Sequence, residues 1–367
     1  CLMDSDSRLL KKYPLRQIYF YLTEGCNLRC RHCWIAPKYQ GMGRVYDALP
    51  SPLFEKIVNE AKPLGLQAVK LTGGEPLLHP DIDQLLRIVS NYRLRLIMET
   101  NGALCTLELA QAIAACQSPF VSVSLDAVEA QTHEWVRGVS GCFEATMAGI
   151  RNLVEAGLKP QIIMSLMKRN QDQMADMVKL AEQVGAGSVR FNLIQPTERG
   201  STLHATGETL SVSRLIELGQ WVNETLAKRT QLPVIYNQPI AFKPMSRMFG
   251  DHGGGCETCG IKGIIGVLAD GSYALCGIGT SVPEMVFGRA GDDDLRTVWE
   301  THETLNWIRM ELPERLEGIC GRCVLKGICL GRCIAQNYYT SHSLWSPFWY
   351  CEEAHRSGLF PLSRLAG

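Results

Sequence analysis

The stretch "QIYFYLTEGCNLRCRHC" (17–33) sets an apolar run directly before three cysteines in eight residues, Cys26, Cys30 and Cys33. A closed structural zinc site takes four protein ligands, so three thiolates make either an incomplete site or one left open on purpose. His32 could supply a fourth ligand. It directly precedes Cys33, however, and two adjacent side chains turn onto one ion only awkwardly.

Outward from residue 17, apolar runs alternate with helix-like stretches. Strands are expected at 17–23, 67–73, 94–100, 120–126, 160–167 and 188–194, and helices at 51–65, 81–92, 106–116, 143–157 and 171–185. The first helix reads as a Ser cap followed by Pro, and the last two end at Gly157 and Gly185. Near-continuous apolar strands separated by helices argue for parallel βα units with the sheet covered by helices. Six are too few for a closed eight-stranded barrel, leaving an open partial barrel or a doubly wound sheet. Chemistry in such folds collects at the C-terminal strand ends. There lie the three cysteines, "GGEP" (73–76), "TNG" (100–102), "SLD" (124–126) and "QPTERG" (195–200).

The 367 residues suffice for one large domain and a smaller one. Lys+Arg and Asp+Glu both count 37, so charge drives the chain toward neither nucleic acid nor a membrane surface. With no 18-residue apolar run and no signal peptide, a cytoplasmic protein is expected. Fifteen cysteines are many for that compartment and read as metal ligands or catalytic thiols. Cys1, Cys105, Cys116 and Cys142 stand apart and read as buried or surface thiols without a role, since free Cys packs as a small hydrophobe. The other eight lie between 256 and 351, after the Gly-rich boundary "DHGGGCETCG". The resulting division is an extension (1–16), a barrel (17–200), a bridging segment (201–255), a cysteine-rich domain (256–351) and a tail (352–367).

Cys-x3-Cys-x2-Cys after the first strand of a βα array resembles the signature of radical S-adenosylmethionine (AdoMet) enzymes. The resemblance implies a [4Fe–4S] cluster held at three corners, its fourth iron chelating AdoMet, and a 5′-deoxyadenosyl radical that removes a substrate hydrogen. It further implies that Gly73, Gly74, Glu75 and Pro76 line the methionine amino group and that Ser124 and Asp126 meet the ribose. Asn101, and Arg137 as a helix-start residue, would lie near AdoMet.

The second group is Cys256, Cys259, Gly271-x4-Cys276, then Cys320-x2-Cys323-x5-Cys329-x3-Cys333 and Cys351. It matches the spacing of the SPASM domain found on many peptide-modifying radical AdoMet enzymes. Carried over, Cys256, Cys259, Cys276 and Cys333 would bind one auxiliary [4Fe–4S] cluster, and Cys320, Cys323, Cys329 and Cys351 a second. Two zinc ribbons are the competing structure. The expected architecture is thus α/β, a partial (β/α)6 TIM-like barrel followed by a small SPASM domain.

The resemblance implies a maturase of a ribosomally made precursor peptide. The wording of both cysteine regions looks most like maturases paired with nitrogen-fixation-type leader peptides. These include spliceases, which excise a tyramine equivalent at Tyr-Gly and leave an α-keto-β-amino acid. Cross-linking maturases, a small-molecule enzyme of haem-biosynthesis type and a Zn or Fe–S scaffold or electron carrier are the alternatives. Gly277, just after Cys276, stands where sulfatase-maturing relatives carry an acidic residue, which counts against Ser or Cys oxidation. Only about sixteen residues precede the first strand, so a separate leader-binding partner is expected, as is an electron donor such as ferredoxin or flavodoxin. Glu24, His79, Glu99, Arg190 and Tyr273 are polar residues near strand ends or clusters, none of them marked as an acid or base.

Overall fold

The computed structural model describes residues 13–41, 44–249 and 259–366, so Cys1 and Cys256 lie outside the described residues. Six parallel strands form where the apolar runs place them: β1 (Gln17–Tyr21), β2 (Ala68–Thr72), β3 (Arg95–Thr100), β4 (Gln117–Ser124), β5 (Gln161–Leu166) and β6 (Ser188–Leu193). Between them run α1 (Ser51–Ala61), α2 (Ile82–Asn91), α3 (Leu107–Ala114), α4 (Ala130–Arg137), α5 (Cys142–Glu155) and α6 (Met174–Gln183). Gly157 and Gly185 take positive φ just past α5 and α6, as their helix-ending role requires. Ser51 does not cap α1. It is the first helical residue, and its hydroxyl donates to Asp81 at 2.8 Å.

Alternation along the strands separates two faces. Ile18, Phe20, Val69, Leu71, Leu96 and Met98 are fully buried on one face, where Phe20 packs on Phe54 of α1 with ring centroids 4.3 Å apart. Tyr19, Lys70 and Glu99 occupy the opposite, interior face, with Tyr19 in register with Lys70. The expectation of a sheet covered by helices therefore holds for the outer face, while the inner face lines the hollow of the barrel.

Six strands were an undercount. After β6 come α7 (Glu198–Ala205), which straddles the expected boundary at 200, then α8 (Val212–Glu224) and β7 (Val234–Tyr236), and β7 pairs parallel to β6. On the opposite edge, β8 (Ile264–Val267) of the cysteine-rich region pairs parallel to β1. It continues antiparallel into β9 (Ser272–Ala274) and β10 (Val286–Arg289). The order β10-β9-β8-β1-β2-β3-β4-β5-β6-β7 is an open, ten-stranded sheet. The C-terminal module thus begins as an extension of the barrel's own sheet. Gly271 makes the β8–β9 turn at φ +87°, which explains its place in the Gly-x4-Cys spacing. The remaining cysteines sit among short helices, including α9 (Gly318–Arg322), α10 (Lys326–Cys329), α11 (Ile334–Ser341) and α12 (Trp349–Arg356).

Candidate active site

At the C-terminal end of β1 the cysteine loop is held by backbone contacts from "GGEP". Gly74 N–H donates to Thr23 O (3.1 Å) and Glu75 N–H to Gly25 O (3.0 Å). A Cβ on Gly74 would lie 1.9 Å from Gly25 O, and Gly73 has φ +126° with the β1 backbone 2.9 Å from where its Cβ would be. Both glycines are needed for two loops to touch.

Glu75, only 1% exposed, accepts from Asn101 N (2.8 Å), Thr100 Oγ1 (2.5 Å) and Leu77 N (3.1 Å). Burial raises its pKa against these three donors. Its carboxylate therefore ties "GGEP" to "TNG". Asn101 extends the tie, donating from Nδ2 to Asn27 Oδ1 at 2.8 Å.

A cavity of about 150 Å³ opens here, lined by Cys26, Cys30, Cys33, Gly74, Glu75, Asn101, Ser124 and Arg137 among others. Cys26 and Cys30 are buried, and Cys142, at the start of α5, packs against them in one small cluster. Burial pushes the Cys33 thiol up to about 11 and Cys26 well above the ordinary thiol range, so any metal must displace bound protons. Arg137 donates to Cys30 Sγ at 3.5 Å. It closes α4 instead of starting a helix, with Gly138 in the left-handed conformation behind it.

Asp126 is not on the cavity wall. It is fully buried, with Oδ2 2.7 Å from Arg137 Nη2 and Oδ1 accepting from Ser165 N at 2.8 Å. Its carboxylate orients the arginine that faces Cys30. Pro76 begins a short 3-10 turn away from the cavity, and Gly73 lines an adjoining groove. Sequence reading did not single out Arg199, Trp34 or Lys70. Arg199 lies in the quoted "QPTERG" and braces the cysteine loop by donating to Cys30 O (3.3 Å) and Pro37 O (2.6 Å). His79 is structural, bonded to Leu49 O at 2.8 Å and to Asp81 N at 3.1 Å.

The adjoining groove, about 280 Å³, shares Pro37 and Gly74 with the first cavity and reaches the β8–β9 turn at Leu268, Ala269 and Asp270. A further cavity of about 160 Å³ gathers Cys259, Cys276 and Cys333, with Tyr19, Tyr21, Trp34 and Lys70 in its wall. A third space, about 20 Å³, is lined by Cys320, Cys323, Cys329 and Cys351. Among the described residues, Cys259, Cys276 and Cys333 thus line one space and Cys320, Cys323, Cys329 and Cys351 another. Cys320 also accepts from Phe348 N at 3.4 Å. Among the described residues no three His, Cys, Asp or Glu side chains stand close enough to share one metal ion. The thiols surround spaces instead, and thiolates around a space suit a multi-iron cluster.

An open parallel sheet that presents three buried cysteines, a doubled glycine loop and a cavity at its strand ends defines an α/β partial-barrel enzyme built around a three-thiolate centre. Residues 20–181 match the Radical SAM superfamily model, and the chain carries a radical SAM domain and is a radical SAM superfamily enzyme. That family implies a [4Fe–4S] cluster and AdoMet. The chain is 29% identical over 354 residues to an AdoMet-dependent heme synthase of Methanosarcina barkeri, covering 92% of this chain and 96% of that one. It is 25% identical over 342 residues to the mycofactocin maturase MftC of Mycobacterium tuberculosis, covering 91% and 82%. The fold resembles Streptococcus suis SuiB bound to its precursor peptide SuiA, with a TM-score of 0.73 and 19% identity over 95% of this chain and 79% of that one. No helix among the described residues is long and apolar enough to cross a membrane.

Proposed function

We propose that this radical SAM enzyme modifies a ribosomally made precursor peptide, with splicing at Tyr-Gly as the specific reaction. The carrying observation is the groove beside the cysteine cavity. Every cation lining the two spaces, among the described residues, already has a partner: Lys38 with Glu24 at 2.5 Å, Arg137 with Asp126 at 2.7 Å, and Arg199 with Pro37 O at 2.6 Å. Such walls suit a mostly neutral, extended substrate better than one with several carboxylates. The likeness to a mycofactocin maturase supports the same reading.

In this reading Cys26, Cys30 and Cys33 hold the AdoMet-binding cluster, and Gly73, Gly74, Glu75, Asn101 and Ser124 shape the AdoMet pocket. When bound, the cluster supplies the electron that cleaves AdoMet. The chain's own work is to keep that space dry, to brace the cysteine loop through Arg137 and Arg199, and to admit substrate along the groove. Cys259, Cys276 and Cys333, with Cys256, hold one auxiliary cluster, and the Cys320 group holds the other. A separate leader-binding protein and a ferredoxin or flavodoxin complete the system.

A second reading, a tetrapyrrole-modifying enzyme, is favoured by the 29% identity to a heme synthase along almost the full length of both chains. The deciding experiment is anaerobic co-expression with a precursor peptide carrying a nitrogen-fixation-type leader, read by mass spectrometry. Loss of a tyramine-sized piece supports splicing, and loss of a hydrogen pair means cross-linking or oxidation. An unchanged peptide, with AdoMet cleavage stimulated by a porphyrin, overturns the peptide reading in favour of the second.

A further inference from the structure

One ion pair in the barrel interior spans two of the cysteine-lined spaces. Lys70 Nζ lies 2.6 Å from Glu99 Oε1. Glu99 belongs to the wall of the cavity that holds Cys26, Cys30 and Cys33, whereas Lys70 belongs to the wall of the one that gathers Cys259, Cys276 and Cys333. Lys70 is held in place from a second side, its ammonium 4.8 Å from the centre of the Tyr19 ring. Trp34 lines both cavities.

Of the carboxylates near the first cavity, Glu75 is committed to three donors and Asp126 to Arg137. Glu99 is different. Its side chain is 42% exposed, and its partner Lys70 is 18% exposed.

We propose that Glu99 is the proton acceptor of the reaction and that Lys70 is a positioning residue that couples it to the Cys259–Cys276–Cys333 centre. The proposal rests on the reading of that centre as an iron–sulfur site. Removing a hydrogen atom from a substrate C–H bond leaves a carbon radical. Oxidation to a closed-shell product then sheds one more electron and one proton. The proton, from a substrate N–H, O–H or S–H group, goes to the Glu99 carboxylate, and an oxidised [4Fe–4S] cluster, which Cys259, Cys276 and Cys333 would hold, would supply the one-electron acceptor.

The two transfers change charge in opposite senses. Glu99 loses a negative charge as the second centre gains one. Lys70 lies between them, so its ammonium faces a negative charge both before and after the step. An uncompensated change of charge at either group would disfavour both transfers. Lys70 lines the same space as Cys259 and Cys276, which places its charge within reach of both.

The test is a redox titration of the anaerobically purified holoenzyme followed by EPR, for which no substrate is needed. Lys70→Met lowers the midpoint potential of one cluster and leaves the others in place, because a nearby cation favours the reduced, more negative state. Lys70→Arg restores it. Glu99→Gln raises the same potential, and that rise shrinks by more than half in the Lys70→Met background, as expected of a coupled pair. Shifts that simply add, or a potential that neither variant moves, overturn the coupling. Absence of the auxiliary signal from the unmutated protein overturns the iron–sulfur reading beneath it. With whichever probe the unmutated enzyme converts, precursor peptide or porphyrin, Glu99→Gln lowers product about 100-fold. The ratio of 5′-deoxyadenosine to product rises more than tenfold. An unchanged ratio overturns the role of Glu99.

Discussion

Arg137 stands 2.7 Å from Asp126 in a place that is closed to water on both sides, the aspartate fully buried and the arginine 5% exposed. The guanidinium also reaches Cys30 Sγ at 3.5 Å, so the ion pair sets the position of a cation beside the cysteine loop. Burial is the largest single influence and would raise the Asp126 pKa, but Arg137, His32, His133 and the Ser165 N–H together outweigh it and hold the carboxyl below its ordinary value. Asp126→Asn leaves a buried guanidinium uncompensated and is expected to cost about 3–5 kcal/mol in urea unfolding. A depressed carboxylate contributes stability above its unfolded pKa and loses it as pH falls through the folded one. The difference between wild type and Asp126→Asn therefore shrinks below about pH 4.

His133 adds a pH dependence of its own. It is fully buried, and its Nδ1 accepts from Asp126 N at 3.2 Å, which only a neutral ring can do. Burial lowers its pKa to about 3. From about pH 6.5 downward the unfolded chain takes up a proton that the folded one refuses, so stability falls by about 1.4 kcal/mol per pH unit from this residue. In His133→Leu the unfolding free energy should fall less steeply between pH 6.5 and 3.

Gly277 is packed against Tyr21. A Cβ there would lie 2.4 Å from the Tyr21 ring, and Tyr21 is buried at the end of β1. The ring fills the place that an acidic side chain would need. Gly277→Ala is expected to lower stability by about 1–3 kcal/mol through overpacking. Gly277→Asp should cost at least as much and confer no Ser or Cys oxidation, measured by thermal unfolding and by mass spectrometry of a Ser- or Cys-containing peptide.

The three cysteine groups make separate predictions for iron content. Changing Cys26, Cys30 and Cys33 together to Ala should remove one cluster's worth of iron and all AdoMet cleavage, with the other EPR signals preserved. Cys320→Ala should affect only the cluster of its own group, because Cys323, Cys329 and Cys351 line the same space and the Cys276 group lines another. Loss of both auxiliary signals from that one change would contradict the division.

What the sequence alone determined is the part of this protein written in local pattern. Runs such as residues 94–100 and 160–167 become parallel strands because they are short, mostly apolar and without a helical period, so their apolar residues need burial in a sheet. The spacing of Cys26, Cys30 and Cys33 needs no tertiary contact to be noticed, and the glycines of "GGEP" lie at a strand end that the same pattern locates. Tertiary structure alone decided the rest. Val234–Tyr236 is three residues long, too short for any periodicity to reveal, and it is a strand only because β6 offers an unpaired edge. Ile264–Val267 joins β1 from far along the chain for the same reason. Nothing in sequence sets Arg137 against Asp126, and Lys70 and Glu99 lie on different strands with nothing in sequence to pair them. Periodicity records which face of an element is apolar. Which charges meet across the interior depends on register and crossover, and those exist only once the strands have paired and the sheet has curved around its hollow.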